Sequence, residues 1–256
     1  MKKLLQPFFK NLIVFAFWIL VWQFLAMRVG KSLLLPAPHE VLPRLFELMG
    51  QIDFWIITVF SLCSVFAGVI VAVILGILLA VITTSVKLID TLVSPLLGVI
   101  RSTPVASFIV LAILWLGREK VPSLIAGIMV LPVVWANVSA GIKNTDKQLL
   151  EMAKCYRFSP LRTARRVYIP GIMPHFISAV RSSLGLGWKA GITAEVLTVP
   201  PNSIGKMLSD AKLYMETTDL FAWTLVIILC SLIIEKIIMA LITGFGKSYA
   251  AGGEAK

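Results

Sequence analysis

Long apolar stretches alternate with short polar ones along the whole chain, and the lengths of the apolar stretches suit helices that cross a bilayer. Spans are predicted at about 11–29, 55–84, 92–116, 121–142, 171–197 and 221–245. Each meets the run of about 20 apolar residues that a hydrocarbon core requires. The second exceeds it and must tilt or overhang. Between the first two, LLLPAPHEVLPRLFEL (33–48) opens with prolines and then takes helical spacing, which predicts a short helix outside the membrane. The opening stretch imitates a secretory signal in its lysines and apolar run. The run from Leu12 to Met27 is longer than a usual signal core, however, and no small-x-small cleavage site follows. It is expected to be retained as a span. Gly68, Ala72, Gly76 and Ala80 recur every fourth residue, as do Gly187 and Gly191, a spacing that lets helix backbones approach closely. The expected fold is all-α, a single transmembrane domain over residues 1–256 with an N-terminal span at 11–29 and a core bundle over 55–245.

One polar interruption differs from the others. Over NTDKQLLEMAKCYRFSPLRTARRVYIP (144–170) the pattern becomes amphipathic. Thr145 with Gln148 reads as a capping box at a helix start. Leu149, Met152, Ala153 and Tyr156 then fall on one stripe, with Lys147, Glu151 and Lys154 mostly off it. Ser159 and Pro160 read as the N-cap and first residue of a second helix. Arg162, Arg165 and Arg166 line that helix, and Pro170 is expected to end it before the next span. An apolar helical stripe must be covered by something. A soluble partner would cover it, and so would lipid headgroups with the hairpin lying on the membrane surface.

Composition supports the membrane assignment. Hydrophobic residues make up 58% of the chain and charged residues 14%, with a mean hydropathy of +0.92; soluble domains are about half apolar and a quarter charged. The net charge of +11 would suit nucleic acid in a soluble protein. Here it fits cytoplasmic loops held at an anionic leaflet, and no nucleic-acid partner is expected. Lysines and arginines are about twice as numerous on the side holding the amino terminus and the 143–170 loop as on the other side. The positive-inside rule therefore puts both termini and that loop in the cytoplasm. Cys63, Cys155 and Cys230 form neither a disulfide framework nor a metal spacing, and are expected as small buried hydrophobes. His39 and His175 lie apart, near loop or membrane edges, and no nucleophile–base pair is evident. No cofactor and no catalytic residue is expected.

Ionisable residues inside the spans point to a pathway. A charge at membrane depth costs about 2.5 to 3.5 kcal/mol and faces a cavity or a partner. Arg101 is placed at the opening of the third span with Ser102, Thr103 and Pro104 behind it, either as an interfacial arginine or as a gate at the cytoplasmic mouth. Arg181, Lys189 and Glu195 share the fifth span. Arg181 and Lys189 are about 80° apart around a helix, so both fit one wall, whereas Glu195 is roughly 21 Å from Arg181 along the axis and cannot pair with it. Glu235 and Lys236 in the last span point to different faces. Arg101, Pro104, Arg181, Lys189 and Glu195 are the candidate pathway residues.

At this point the chain resembles a known family. Glu151, Ala153, Val167, Ile169 and Pro170 fall on the EAA motif of permease subunits of ABC importers, E-A-A-x3-G-x9-I-x-L-P. In order along the chain, LLLPAPHEV (33–41), RSTPVASFIVLAILWLG (101–117), LPVVWANVSAG (131–141), RSSLGLGW (181–188) and AEVL (194–197) resemble the nitrate/sulfonate/taurine branch. The resemblance implies a type I importer permease fold in the bacterial inner membrane. It also implies two permease copies, cytoplasmic ATPase subunits and an extracytoplasmic solute-binding protein. The loop would be the coupling helix, with Leu149, Glu151, Met152, Ala153, Tyr156 and Arg157 at the ATPase contact and Pro170 at the membrane entrance. Met152 replaces the family's first Ala. Arg157 replaces its Gly, so a turn suited to positive φ must hold a side chain. No Gly-x4-Gly-Lys-Ser/Thr loop occurs in the chain, so ATP hydrolysis is expected on a partner. The implied solute is a small anion such as a sulfonate, nitrate or taurine-like compound, with vitamin precursors as an alternative. A secondary transporter driven by an ion gradient remains a rival; it favours paired carboxylates in interrupted helices and internal repeats.

Overall fold

Two small-residue seams decide how the central helices of this chain pack. In the computed structural model, which describes residues 2–251, the elements are α1 (Lys2–Val29), α2 (Pro38–Met49), α3 (Ile52–Ser85), α4 (Lys87–Ser102), α5 (Val105–Trp115), α6 (Val121–Lys143), α7 (Lys147–Cys155), α8 (Pro160–Thr163), a π-helical turn (Ala164–Tyr168), α9 (Ile169–Thr198), α10 (Ile204–Leu213) and α11 (Thr217–Ala251). The core is the trio α3, α6 and α9, with one seam of α3 on α6 and the other of α9 on α3. A Cβ placed on Gly68 of α3 would lie 1.9 Å from the carbonyl oxygen of Ser123 on α6, and one on Gly76 would lie 2.9 Å from Cβ of Val134. On α9, a Cβ at Gly187 would meet Val69 at 2.7 Å, and one at Gly191 would meet Val65 at 2.5 Å. Only a hydrogen fits at these four positions, so backbone meets backbone at Gly68 and valine side chains pack onto the glycines elsewhere, and dispersion contacts replace the hydrophobic drive that lipid removes.

Aromatic and polar ties fix the rest. Trp188 is buried against Phe66, with ring centroids 6.0 Å apart, and its indole N–H donates to the Ile227 carbonyl at 3.1 Å, joining α9 to α11. The predicted surface helix is α2. Its Arg44 donates Nε and Nη2 to the two carboxylate oxygens of Asp219 on α11, at 2.6 and 2.8 Å. These hydrogen bonds hold the guanidinium above its ordinary pKa, so it stays charged. α1 attaches through Trp22, which donates to the Pro36 carbonyl at 3.1 Å and stacks on Phe221. Most of its other described apolar side chains, among them Ile13, Phe17, Trp18 and Phe24, are exposed, as a lipid-facing helix requires.

α3, α6 and α11 are each long and apolar enough to cross a membrane, and α4 with α5 adds a fourth span if the bent pair is one crossing. α9 is 30 residues long, about 45 Å at 1.5 Å per residue. Its charges and glycines dilute its apolarity.

Three expectations need correction. The third span, expected as one helix over 92–116, is two helices bent by 104° at Thr103–Pro104. Pro104 supplies no N–H to bond back into α4 and pushes Thr103 to an extended ψ of 132°. The helix carrying Arg162 does not stop at Pro170; it runs through the π-helical turn into α9, and Pro170 follows Ile169 just beyond that turn. Cys63 and Cys155 are exposed, and Cys230 is half-buried against the edge of the core.

Candidate functional site

The loop between α6 and α9 forms a compact projection. α6 ends at Lys143, whose ammonium reaches Asp90 of α4 at 3.5 Å. The cap of α7 is not the expected Thr145. Asp146 accepts the Gln148 N–H at 2.8 Å, while the Thr145 hydroxyl turns back to donate to the Gly141 carbonyl. A carboxylate at a helix start is also favoured by the helix dipole. α7 ends in a paired-bond turn. The Phe158 N–H donates to the Ala153 carbonyl and the Arg157 N–H to the Lys154 carbonyl, both at 2.9 Å, with Arg157 left-handed at φ 52°. This is the Schellman arrangement, which usually has glycine at that position. The family glycine is thus replaced by an arginine that still takes the glycine's conformation. Ser159 caps the next turn as expected, accepting the Arg162 N–H at 3.3 Å.

The stripe on α7 divides. Ala153 is 2% exposed and its helix packs on the π-helical turn, where Val167 is also buried. Leu149, Met152 and Tyr156 are exposed, and so are Glu151, Arg157 and Pro170. The loop therefore carries one internal anchor and an outward face of three large apolar side chains among charges.

The second site lies at the bend between α4 and α5. A cavity of about 680 Å³ opens there, lined by Arg101, Thr103, Pro104, Met129, Asn137 and Leu186 among others. Arg101 is in the last turn of α4, not at the opening of a span, and its Nη2 donates to the Pro132 carbonyl of α6. Eleven residues separate Pro132 from the Lys143 end of α6, which puts the cavity roughly 16 Å along that helix. Arg101 itself is exposed at this opening. Leu186 brings α9 to the cavity, and the same outer side of α9 carries Ser178, Ser182, Lys189 and Thr193, all exposed, with Arg181 beside them. The Ser182 and Thr193 hydroxyls donate to carbonyls four residues back. Among the described residues Arg181 and Lys189 have no ion-pair partner. Glu195, expected with them on the pathway, is instead fully enclosed and accepts hydrogen bonds from Ser61 and Gly205.

Two contributors are not singled out by the sequence. Asn137 lines the cavity beside the already noted Thr103, and Ser61 faces Glu195. Each is a small polar residue inside an apolar run, and that contrast was the available signal.

A helical multi-pass fold with an open cavity bearing an arginine and a projecting amphipathic loop suits a membrane transport component. The chain belongs to the family of binding-protein-dependent transport system inner membrane components, whose sequence model matches residues 72–249. It is 25% identical over 215 residues to a putative aliphatic sulfonates transport permease, SsuC, of Bacillus subtilis (strain 168), covering 83% of this chain and 78% of that one. The taurine transport system permease TauC of Escherichia coli (strain K12) is 23% identical over 226 residues, with 86% and 82% covered. A formylaminopyrimidine transport permease, ThiX, of Halalkalibacterium halodurans is 24% identical over 174 residues, with 67% and 69% covered. A chain in the crystal structure of an amino acid ABC transporter with histidines shares the fold, at a TM-score of 0.57 and 18% identity over 74% of this chain and 91% of that one. The protein is thus a permease of the inner membrane and not an enzyme; ATP hydrolysis belongs to a separate subunit. ATPase and binding-protein partners are general to such components.

Proposed function

We propose that this chain is the permease subunit of an ATP-driven importer for a small organic anion of the sulfonate or taurine kind. The observation that carries the reading is the 143–170 loop. Ala153 anchors α7 from beneath, while Leu149, Met152 and Tyr156 stand exposed at 44%, 42% and 73% beside Glu151 and Arg157. A rigid, capped helix with an apolar outer face has the form of a helix that fits a groove. The loop and both termini face the cytoplasm, an ATPase subunit covers α7, and Pro170 marks the membrane entrance.

Two copies of the chain meet around α9. Its polar face cannot lie against lipid without the cost noted above for intramembrane charge, and a water-lined path between two copies relieves it. Arg101 and Pro104 at the cavity, with Arg181 and Lys189 on α9, form the translocation pathway. Closure of the ATPase pair pulls on the loops and switches the two copies between inward- and outward-facing states as rigid bodies. The solute arrives on a binding protein at the other face.

The anionic solute is supported by the cationic lining and by the sulfonate and taurine relatives. A second reading, import of a pyrimidine vitamin precursor, is favoured by the likeness to ThiX and by the largely apolar remainder of the cavity wall. Uptake into proteoliposomes separates the two. The anion reading expects labelled ethanesulfonate or taurine to enter and a formylaminopyrimidine not to compete. The reverse result installs the second reading.

A further inference from the structure

α9 ends in a tightly tied joint. Val199, a β-branched residue, closes it in the left-handed region at φ 48°, with its N–H donating to the Glu195 carbonyl at 2.8 Å. Such a conformation persists only where the surroundings hold it. Asn202 is left-handed too, at φ 55°, and Ser203 then caps α10 by accepting the Lys206 N–H at 3.1 Å. The first two amides of α10 point into the protein. The Ile204 N–H donates to Ser61 Oγ at 2.9 Å, and the Gly205 N–H donates to Glu195 Oε2 at 3.0 Å. Ser61 Oγ donates in turn to the same carboxylate oxygen at 2.9 Å. Glu195, Ser61, Ser203 and Ile204 have no exposed surface. A Cβ on Gly205 would lie 2.3 Å from Cβ of Glu195 and 2.4 Å from its carbonyl carbon, so α10 begins in contact with the α9 backbone. One turn further along α10, Ser209 Oγ donates to the Val196 carbonyl at 3.1 Å.

A buried carboxyl group is expensive unless donors converge on it, and the free amides at a helix start are suitable donors. Here they come from α10, the added hydroxyl comes from α3, and the acceptor sits on α9. α9 runs without a break from the 143–170 loop to this joint, so the two lie at opposite ends of one long helix.

We propose that Glu195 is a positioning residue for transport: it locks α10 to α9 and α3, so that α10 and the α9 face bearing Arg181, Lys189 and Thr193 move as one body. This rests on the importer reading, in which the side of the membrane bearing α10 receives the binding protein. A push on α10 then reaches the pathway and the coupling loop through α9 without slack.

Two measurements test it. Hydrogen–deuterium exchange on the full-length chain in nanodiscs reads the joint with no partner present. Glu195→Ala speeds exchange at amides 204–206 by about tenfold or more while the α3–α6 seam keeps its protection. Glu195→Gln, which keeps an acceptor oxygen, restores protection. Ser61→Ala gives a smaller increase and serves where the alanine variant of Glu195 does not fold. In the reconstituted complex, ethanesulfonate, taurine or formylaminopyrimidine is used, whichever drives wild-type uptake. There, Glu195→Ala keeps basal ATP hydrolysis within about twofold but loses about tenfold of the stimulation by loaded binding protein, and Glu195→Gln recovers it. Unchanged exchange at 204–206 in both Glu195→Ala and Ser61→Ala overturns the joint. Faster exchange with full stimulation overturns the positioning role. A wild-type chain that answers to no ATPase or binding protein overturns the importer reading and this role with it, and is recognised because the unmutated protein fails.

Discussion

At Gly68 the distance between α3 and α6 is set by a hydrogen where other residues carry a methyl group. An alanine there would put its Cβ 1.9 Å from the Ser123 carbonyl oxygen, a backbone atom that cannot swing aside. Gly68→Ala therefore lowers stability by about 3 kcal/mol, seen as a lower melting temperature in detergent. Gly98→Ala is the contrast: nothing lies within 4 Å of its added methyl, and the gain in helix propensity leaves stability equal or raises it by up to about 1 kcal/mol. Arg157 makes the opposite argument. Its φ of 52° suits glycine, so Arg157→Gly raises stability by about 1 kcal/mol in the same assay. Both features were legible in the sequence, one as four-residue spacing and the other as a departure from a motif.

Between elements, legibility depended on whether local sequence or distant packing decided the outcome. The long apolar helices α3, α6 and α11 and the surface helix α2 follow from hydropathy and proline placement alone. The bend between α4 and α5 was not read, although Pro104 was noted, because a proline near a helix end and a proline at a fold-back look alike in sequence. Thr145 was expected to cap α7, and the cap is instead its neighbour Asp146. The outcome was decided by the Gly141 carbonyl, which draws the threonine hydroxyl inward. The stripe on α7 was legible as a face, but its division into a buried Ala153 and exposed Leu149, Met152 and Tyr156 needed the π-helical turn beneath it. That division makes a prediction. Ala153→Asp forces a carboxylate into the contact between α7 and the turn, so the loop loses its shape. Copurification of the ATPase falls below detection while the membrane bundle still folds, as circular dichroism of the purified chain would report.

At the scale of the whole molecule, the exposed charges on α9 and the cavity at Arg101 share one outward side of the α3–α6–α9 core, where α9 contributes Leu186 to the cavity wall. Glu195 was grouped with Arg181 and Lys189 by its span. Its partners Ser61 and Gly205 are 134 and 10 residues away in sequence, beyond the reach of local pattern. If Lys189 faces a path for anions, Lys189→Leu lowers sulfonate uptake by about tenfold or more without loss of folding or ATP hydrolysis, and unchanged uptake and substrate range remove it from the pathway. The importer account depends most on what covers α7. The direct measurement is photocrosslinking from a probe at position 151 in intact cells that express the full complex. The account predicts capture of the ATPase subunit, with yield that changes as ATP binds. Capture of lipid alone, or labelling of the same position by an impermeant reagent from outside the cell, would contradict it.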